Sequence, residues 1–253
     1  MIDNETANVE SPHMRHAGKG LLSLALMDAR NHTLRWFGVF EDAQRAGGQA
    51  VAASPDFDPP LWTLGHVGWF QERWIARNVE RARGPACDPT RPRLASVEAN
   101  ADAWFDTAHI GSGERWRLSL PTPQVVRQTL AETLDTTLEL LESADETDEA
   151  LYFYRLALFH EDMHCEAFAC AAQTLGIGAH LLPPPPGGAP RAPLVLPATR
   201  HMLGSPAGGF VFDNEKWAHE EAVPEFEIDA RPVNWGQYTE FVEDGGYDDS
   251  RWW

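Results

Sequence analysis

The sequence predicts an α+β protein: an N-terminal four-helix bundle followed by a smaller domain of short strands and turns. Three observations carry this. Four segments ahead of residue 181 repeat apolar residues at helical spacing. A tract opening at Leu182 (LPPPPGGAPRAPLVLP) is too rich in proline to form a helix or a core strand, and reads as a semi-rigid linker. Beyond it, short apolar groups alternate with Gly, Asp and Asn (GGFVFDNEKW, FEIDARPVNWGQYTEF), the texture of strands and turns with one small helix. The expected organisation is a disordered N-terminus over 1–14, a bundle over 15–181, a linker over 182–200 and a second domain over 201–253.

The first helix spans Leu21 to Ala43, with Leu22, Leu26, Leu34, Phe37 and Phe40 as its stripe. His32 lies within it and reads as a capping, surface or core histidine. The second helix opens at Pro59-Pro60, a residue type favoured where the first N–H groups lack partners anyway, and is expected to run to Arg81. His66 lies on it, with Trp62, Trp69, Phe70 and Arg73 on or beside its face; the aromatics read equally as a tryptophan-rich core strip. Gly65 and Gly68 each weaken a helix by up to about 1 kcal/mol, which points to something packed closely against them.

From Gly84 to Pro121 the chain is irregular, with a short helix expected around Val97 to Asp106. Such a long connection is uncommon unless it covers something. Thr122-Pro123 then caps a third helix, Val125 to Leu141, striped by Val126, Leu130, Leu134, Leu138 and Leu141. After the acidic turn Ser143 to Glu149, a fourth helix runs to near Gly176 and carries LFHEDMHCEAF.

That last stretch sets His160 and His164 about 40° apart on one helical face, otherwise apolar with Phe153, Leu156, Ala157, Ala167 and Ala171. A single histidine on such a face is ordinarily a core histidine bonded to a carbonyl. Two of them directed into a core need partners, because an unpaired buried polar group costs roughly 1–3 kcal/mol. A shared metal ion satisfies both, provided that a third donor exists, and His66 supplies it. Glu166, about 240° around the helix from His160, is expected to point away from that ion.

Composition limits the partners. The chain has 253 residues, 43% hydrophobic, and a net charge of −18, which argues against nucleic acid. No stretch of about 18 apolar residues is present and the N-terminus is polar, so neither membrane nor export is expected, and the protein reads as cytoplasmic. Cys87, Cys165 and Cys170 match no zinc ribbon or disulfide framework and fit a reducing compartment. Lys19 and Lys216 are the only lysines, so a pocket for a carboxylate would use guanidinium groups. Arg73, Arg77, Arg81 and Arg83 form the candidate cluster, with a solvated helix face as the plainer reading.

These motifs carry a resemblance. Residues 15–180 resemble the DinB-type bundle of the ergothioneine-type nonheme iron sulfoxide synthases, and 201–253 resemble the opening of their formylglycine-generating-enzyme-like, C-type-lectin-like domain. The family's HxxWF corresponds to His66-Val67-Gly68-Trp69-Phe70 and its HExxHxE to His160–Glu166, while Phe212-Asp213-Asn214-Glu215 and Asp244-Gly245-Gly246-Tyr247 resemble the lectin-like entry. The resemblance implies Fe(II) on His66, His160 and His164, with hercynine, O2 and a sulfur or selenium donor as small-molecule substrates. Met163 stands where ergothioneine-forming members usually have glutamine. With LFHEDMHCEAF and LWTLGHVGWFQERW it makes the chain more similar to the selenoneine synthase branch, which uses a selenosugar.

On this reading Met163, Trp69, Phe70, Arg73, Arg77, Arg81 and Arg83 are the substrate-side candidates, with Trp69 offering its face to a trimethylammonium group. The family's catalytic tyrosine lies further into the lectin-like domain than Trp253, so the chain reads as a fragment that binds metal without half of the cleft. Other readings are a sulfoxide synthase using cysteine or γ-glutamylcysteine, an HExxH zinc hydrolase in which Glu161 activates water, and a noncatalytic metal-binding bundle.

Overall fold

The computed structural model describes residues 14–47, 51–178 and 192–253. Most of the N-terminal segment expected to be disordered, and residues 182–191 of the expected linker, lie outside them. The chain divides into two compact units, one running from Met1 to Pro183 with Gly208–Val211, the other comprising Pro184–Ala207 and Phe212–Trp253.

The first unit is the helical one. Helix α1 (Lys19–Arg45) buries Leu22, Leu26, Ala29, Arg30, Thr33, Phe37 and Phe40. Helix α2 (Pro60–Gln71) is buried on nearly its whole circumference, Trp62 to Trp69 without interruption, as befits the central rod of a bundle. It passes into a π-helical turn, Glu72–Ala76, where the Arg77 N–H reaches back to the Glu72 carbonyl. The second helix therefore ends well short of the expected Arg81. The extra residue in the turn drives Ile75 into the core, and Arg77 swings out of the helical path to bond the loop that follows.

The long connection does cover something. Its short helices α3 (Ala101–Phe105) and α4 (Ser112–Arg115) lead Phe105 and Ile110 onto Trp62 and Trp69 of α2. Helix α5 (Pro123–Glu142) is capped by Thr122, whose hydroxyl accepts from the Val125 N–H. Helix α6 (Asp148–Thr174) is capped in the same way by Thr147, whose hydroxyl accepts from the Ala150 N–H.

Two apolar layers fill the bundle. Leu22, Leu26, Leu141, Leu151, Tyr154 and Ile75 form one; Phe37, Phe40, Leu64, Leu130 and Phe168 form the other. Between them sits a buried polar knot. The Arg30 guanidinium of α1 donates to both carboxylate oxygens of Glu161 on α6 (2.7 and 3.1 Å), to Gln71 Oε1 at the end of α2 (2.6 Å) and to the Leu130 carbonyl of α5. One side chain thus binds all three other helices.

The second unit holds two antiparallel pairs, β1 (Leu194–Leu196) with β4 (Phe226–Ile228) and β2 (Thr199–Leu203) with β3 (His219–Val223). Helix α7 (Trp235–Glu243) carries a reciprocal Asn234–Gln237 capping box. The expected boundaries shift at two places. Leu194–Leu196 and Thr199–Arg200, assigned to the linker, are strand, because their β-branched and aliphatic side chains find partners in β4 and β3. Gly208–Val211, assigned to the second domain, pack with the helices, where Phe210 and Val211 are buried.

Removing one member of a buried ion pair strands the other charge. Glu161→Ala is therefore expected to cost about 3–5 kcal/mol in denaturant unfolding, whereas Arg30→Met with Glu161→Leu should cost much less.

Candidate metal centre

His66, at the middle of α2, and His160 and His164, one turn apart on α6, bring their rings to one place. Nε2 of His160 stands 3.2 Å from Nε2 of His66 and 3.2 Å from Nε2 of His164, and one donor atom from each residue lies within 4.8 Å of the others. No other group of three His, Cys, Asp or Glu side chains meets that condition among the described residues.

Close packing puts His66 there. The bare backbone at Gly65 admits the Phe105 ring, whose Cζ would lie 2.3 Å from a Cβ at that position, and Gly68 similarly admits Leu130. The Phe105 carbonyl is then 2.8 Å from His66 Nδ1. A carbonyl only accepts, so Nδ1 carries the proton and Nε2 presents a lone pair to the other two rings. Trp62 stacks on His66 at 4.7 Å between centroids, and Phe70 stacks on His160 at 3.5 Å.

All three imidazoles are held neutral. Burial lowers His66 to about 4, with the His164 ring adding to the effect and the Phe105 carbonyl opposing it. Burial and the two neighbouring histidines push His160 down to about 2, and burial lowers His164 as well. Hydrogen bonding among the rings does not account for the arrangement. His160 Nε2 carries either one proton or one lone pair, so it can make one good bond of the two its neighbours present. A cation satisfies all three at once: nitrogens each about 2.1 Å from a shared ion stand about 3 Å apart when they subtend a right angle. The donor set fits Fe(II), Zn(II), Ni(II) or Co(II).

The remaining candidates are distributed differently. Glu161 is 2% exposed and its carboxylate is taken by Arg30, so it is not free to act as a base at the triad, which removes the structural basis of the zinc-hydrolase reading. Glu166 is exposed and outside the cluster, and His32 is exposed on α1. Met163 is 55% exposed on α6, beside the histidine face.

Trp69 is buried, donates its indole N–H to Asp102 (2.7 Å) and already has the Arg73 guanidinium 5.2 Å from its ring centre. The expected arginine cluster does not form. Arg77 is buried, with its two terminal nitrogens on the Asp102 carboxylate at 2.7 Å each and its Nε on the Leu94 carbonyl; the carboxylate it holds belongs to the chain. That grip holds the Asp102 carboxyl at about 2. Arg73 faces Asp102 and Asp106, Arg81 lies by the Tyr154 hydroxyl, and Arg83 pairs with Glu80 at the surface.

Two residues that the sequence does not single out act on the histidines through their charge. Arg115 of α4 sits over Trp62 at 4.1 Å, bonds Asp58 at 2.6 Å, and contributes to lowering both His66 and His164. Asp58 lines a cavity of about 300 Å³ together with Phe57, Thr63 and His164. Both residues lie in irregular sequence, where no period marks their direction.

Residues 25–167 match the DinB superfamily. The chain is similar to the hercynine oxygenases of Mycolicibacterium thermoresistibile (31% identity; 92% of this chain and 50% of the relative) and Mycolicibacterium smegmatis (31%; 89% and 50%). That of Mycobacterium tuberculosis is 30% identical over 92% of this chain and 52% of its own. The chain spans about half the length of these curated relatives. No helix of the described residues is long and apolar enough to cross a membrane.

The depressed histidines set a pH dependence. In the unfolded chain each takes up its proton near its ordinary 6.5, whereas folded His66 waits until about 4. Stability of the metal-free protein is therefore intact above about pH 7 and falls as the pH drops towards 4, by an amount on the order of 3 kcal/mol for His66 alone. Denaturant titrations across that window should register the loss, and His66→Phe should reduce it while the contributions of His160 and His164 remain.

Proposed function

The chain belongs to the DinB superfamily, and on that premise we propose that it is the metal-holding part of a nonheme Fe(II), O2-dependent enzyme that joins hercynine to a chalcogen donor. The observation that carries this is the convergence of three neutral imidazole Nε2 atoms, one from α2 and two from α6. Likeness to hercynine oxygenases supports the substrate. When bound by His66, His160 and His164, Fe(II) supplies O2 activation and open positions for a sulfur or selenium ligand.

Phe105 keeps the His66 proton on Nδ1, so that His66 enters as a neutral ligand of fixed orientation. Trp62 and Phe70, stacked on His66 and His160, cover the rings and exclude water from that side. Arg115 is the cation nearest to the histidines in electrostatic effect and, balanced by Asp58, is suited to orient an anionic group of a substrate.

The donor is proposed to be a selenosugar, with cysteine or γ-glutamylcysteine as the competing class. Met163 supports this choice: it precedes His164 and presents an exposed, polarizable thioether where a glutamine would offer hydrogen bonds.

Anaerobic loading with Fe(II) should give one equivalent per chain, and His66→Ala, His160→Ala or His164→Ala should each weaken binding by about 100-fold or more. Retention of full affinity in His66→Ala would remove the triad. With hercynine constant and both donors present, Met163→Gln should shift the kcat/KM ratio about tenfold towards the thiol; an unchanged ratio would move donor choice elsewhere.

A further inference from the structure

We propose that Phe210, carried on the latch Gly208–Val211, is a positioning residue for His160. The latch comes from sequence remote from the bundle yet packs with it, and Phe210 and Val211 are each 4% exposed. Three backbone contacts fasten it. Gly209 N–H donates to Asp148 Oδ2 at the start of α6 (2.8 Å), Phe210 N–H donates to the Arg15 carbonyl (2.9 Å), and Arg15 Nη2 donates to the Gly208 carbonyl (2.9 Å). Asp148 is braced in turn by Arg155, 2% exposed, which also donates to the Ala17 carbonyl. Gly209 has φ +62°, and a Cβ there would lie 2.2 Å from the Arg15 carbonyl oxygen, so only glycine lets the latch close.

Thus anchored, the Phe210 ring lies against α6 from outside. It stacks on Phe159 (5.4 Å, 20°), the residue before His160, and contacts Tyr152 at 5.2 Å. From Tyr152 the aromatic contacts continue through Phe153 (5.2 Å), Trp74 (5.3 Å) and Phe70 (6.1 Å) to the His160 ring (3.5 Å). Phe210 therefore reaches His160 along two packed routes, one through its backbone neighbour and one through the rings that stack on its imidazole. Rigid aromatic contacts of this kind transmit displacement because a packed core resists compression.

The inference rests on the metal reading for its consequence and is testable without it. Amide hydrogen exchange of the metal-free, full chain is compared for wild type, Phe210→Ala and Phe210→Tyr, and Co(II) affinity is followed by its visible bands. Phe210→Ala is expected to raise exchange of the Phe159–His164 amides about tenfold, with those of Val126–Leu130 on α5 unchanged. It should also weaken Co(II) binding about fivefold, and Phe210→Tyr should restore both. Unchanged exchange at Phe159–His164, or a uniform rise across α1, α5 and α6, would overturn the inference. If wild type takes up no Co(II) while the exchange pattern appears as expected, the positioning of His160 stands and the triad reading falls.

Discussion

The bundle depends on one buried guanidinium. Arg30 binds Glu161, Gln71 and the Leu130 carbonyl, so the rotation and height of α2, α5 and α6 are all referred to a single group on α1. Hydrophobic layers above and below hold the helices together without specifying such a register, since apolar contacts have no direction. A buried charge does specify it, because any slip leaves an ion unpaired in a medium where that is costly. Glu161 adjoins His160 in sequence. Fixing the Glu161 carboxylate towards α1 turns the neighbouring imidazoles towards α2, where His66 waits.

The same constraint separates this site from the hydrolases that share its sequence pattern. HExxH places a carboxylate one residue after the first histidine, and only the surroundings decide whether it faces the metal's water or the protein interior. Here it faces an arginine between two helices. The histidine geometry and the glutamate's occupation are thus two results of one interaction.

Much of this was legible in the sequence. The four helices, their Thr122 cap and the pairing of His160 with His164 follow from period and spacing, and Gly65 and Gly68 correctly signalled close contacts. Arg30 also left a trace: it falls four residues after Leu26 on the stripe that continues to Phe37, a charged residue where an apolar one is due. What was illegible depends on contacts distant in sequence. The capture of Arg77 by Asp102, the pairing of Asp58 with Arg115 and the return of Gly208–Val211 to the helices each join segments whose local patterns carry no mark of the partner. A proline-rich approach likewise disguised β1 and the start of β2, because exposed strands of three to five residues show no alternation between a wet and a dry face.

Gly65 ties backbone shape to the location of a proton. The Phe105 ring occupies the space that a side chain at 65 would need, and the same residue's carbonyl receives the His66 Nδ1 proton. A methyl group added there would have to push Phe105 away, and its carbonyl would go with it. Released from that acceptor, His66 could exchange tautomers and carry hydrogen on the nitrogen that now presents a lone pair. At this position the smallest possible increase in bulk would change acid–base identity rather than volume, so a residue with no functional group of its own governs which atom of its neighbour is able to donate electrons.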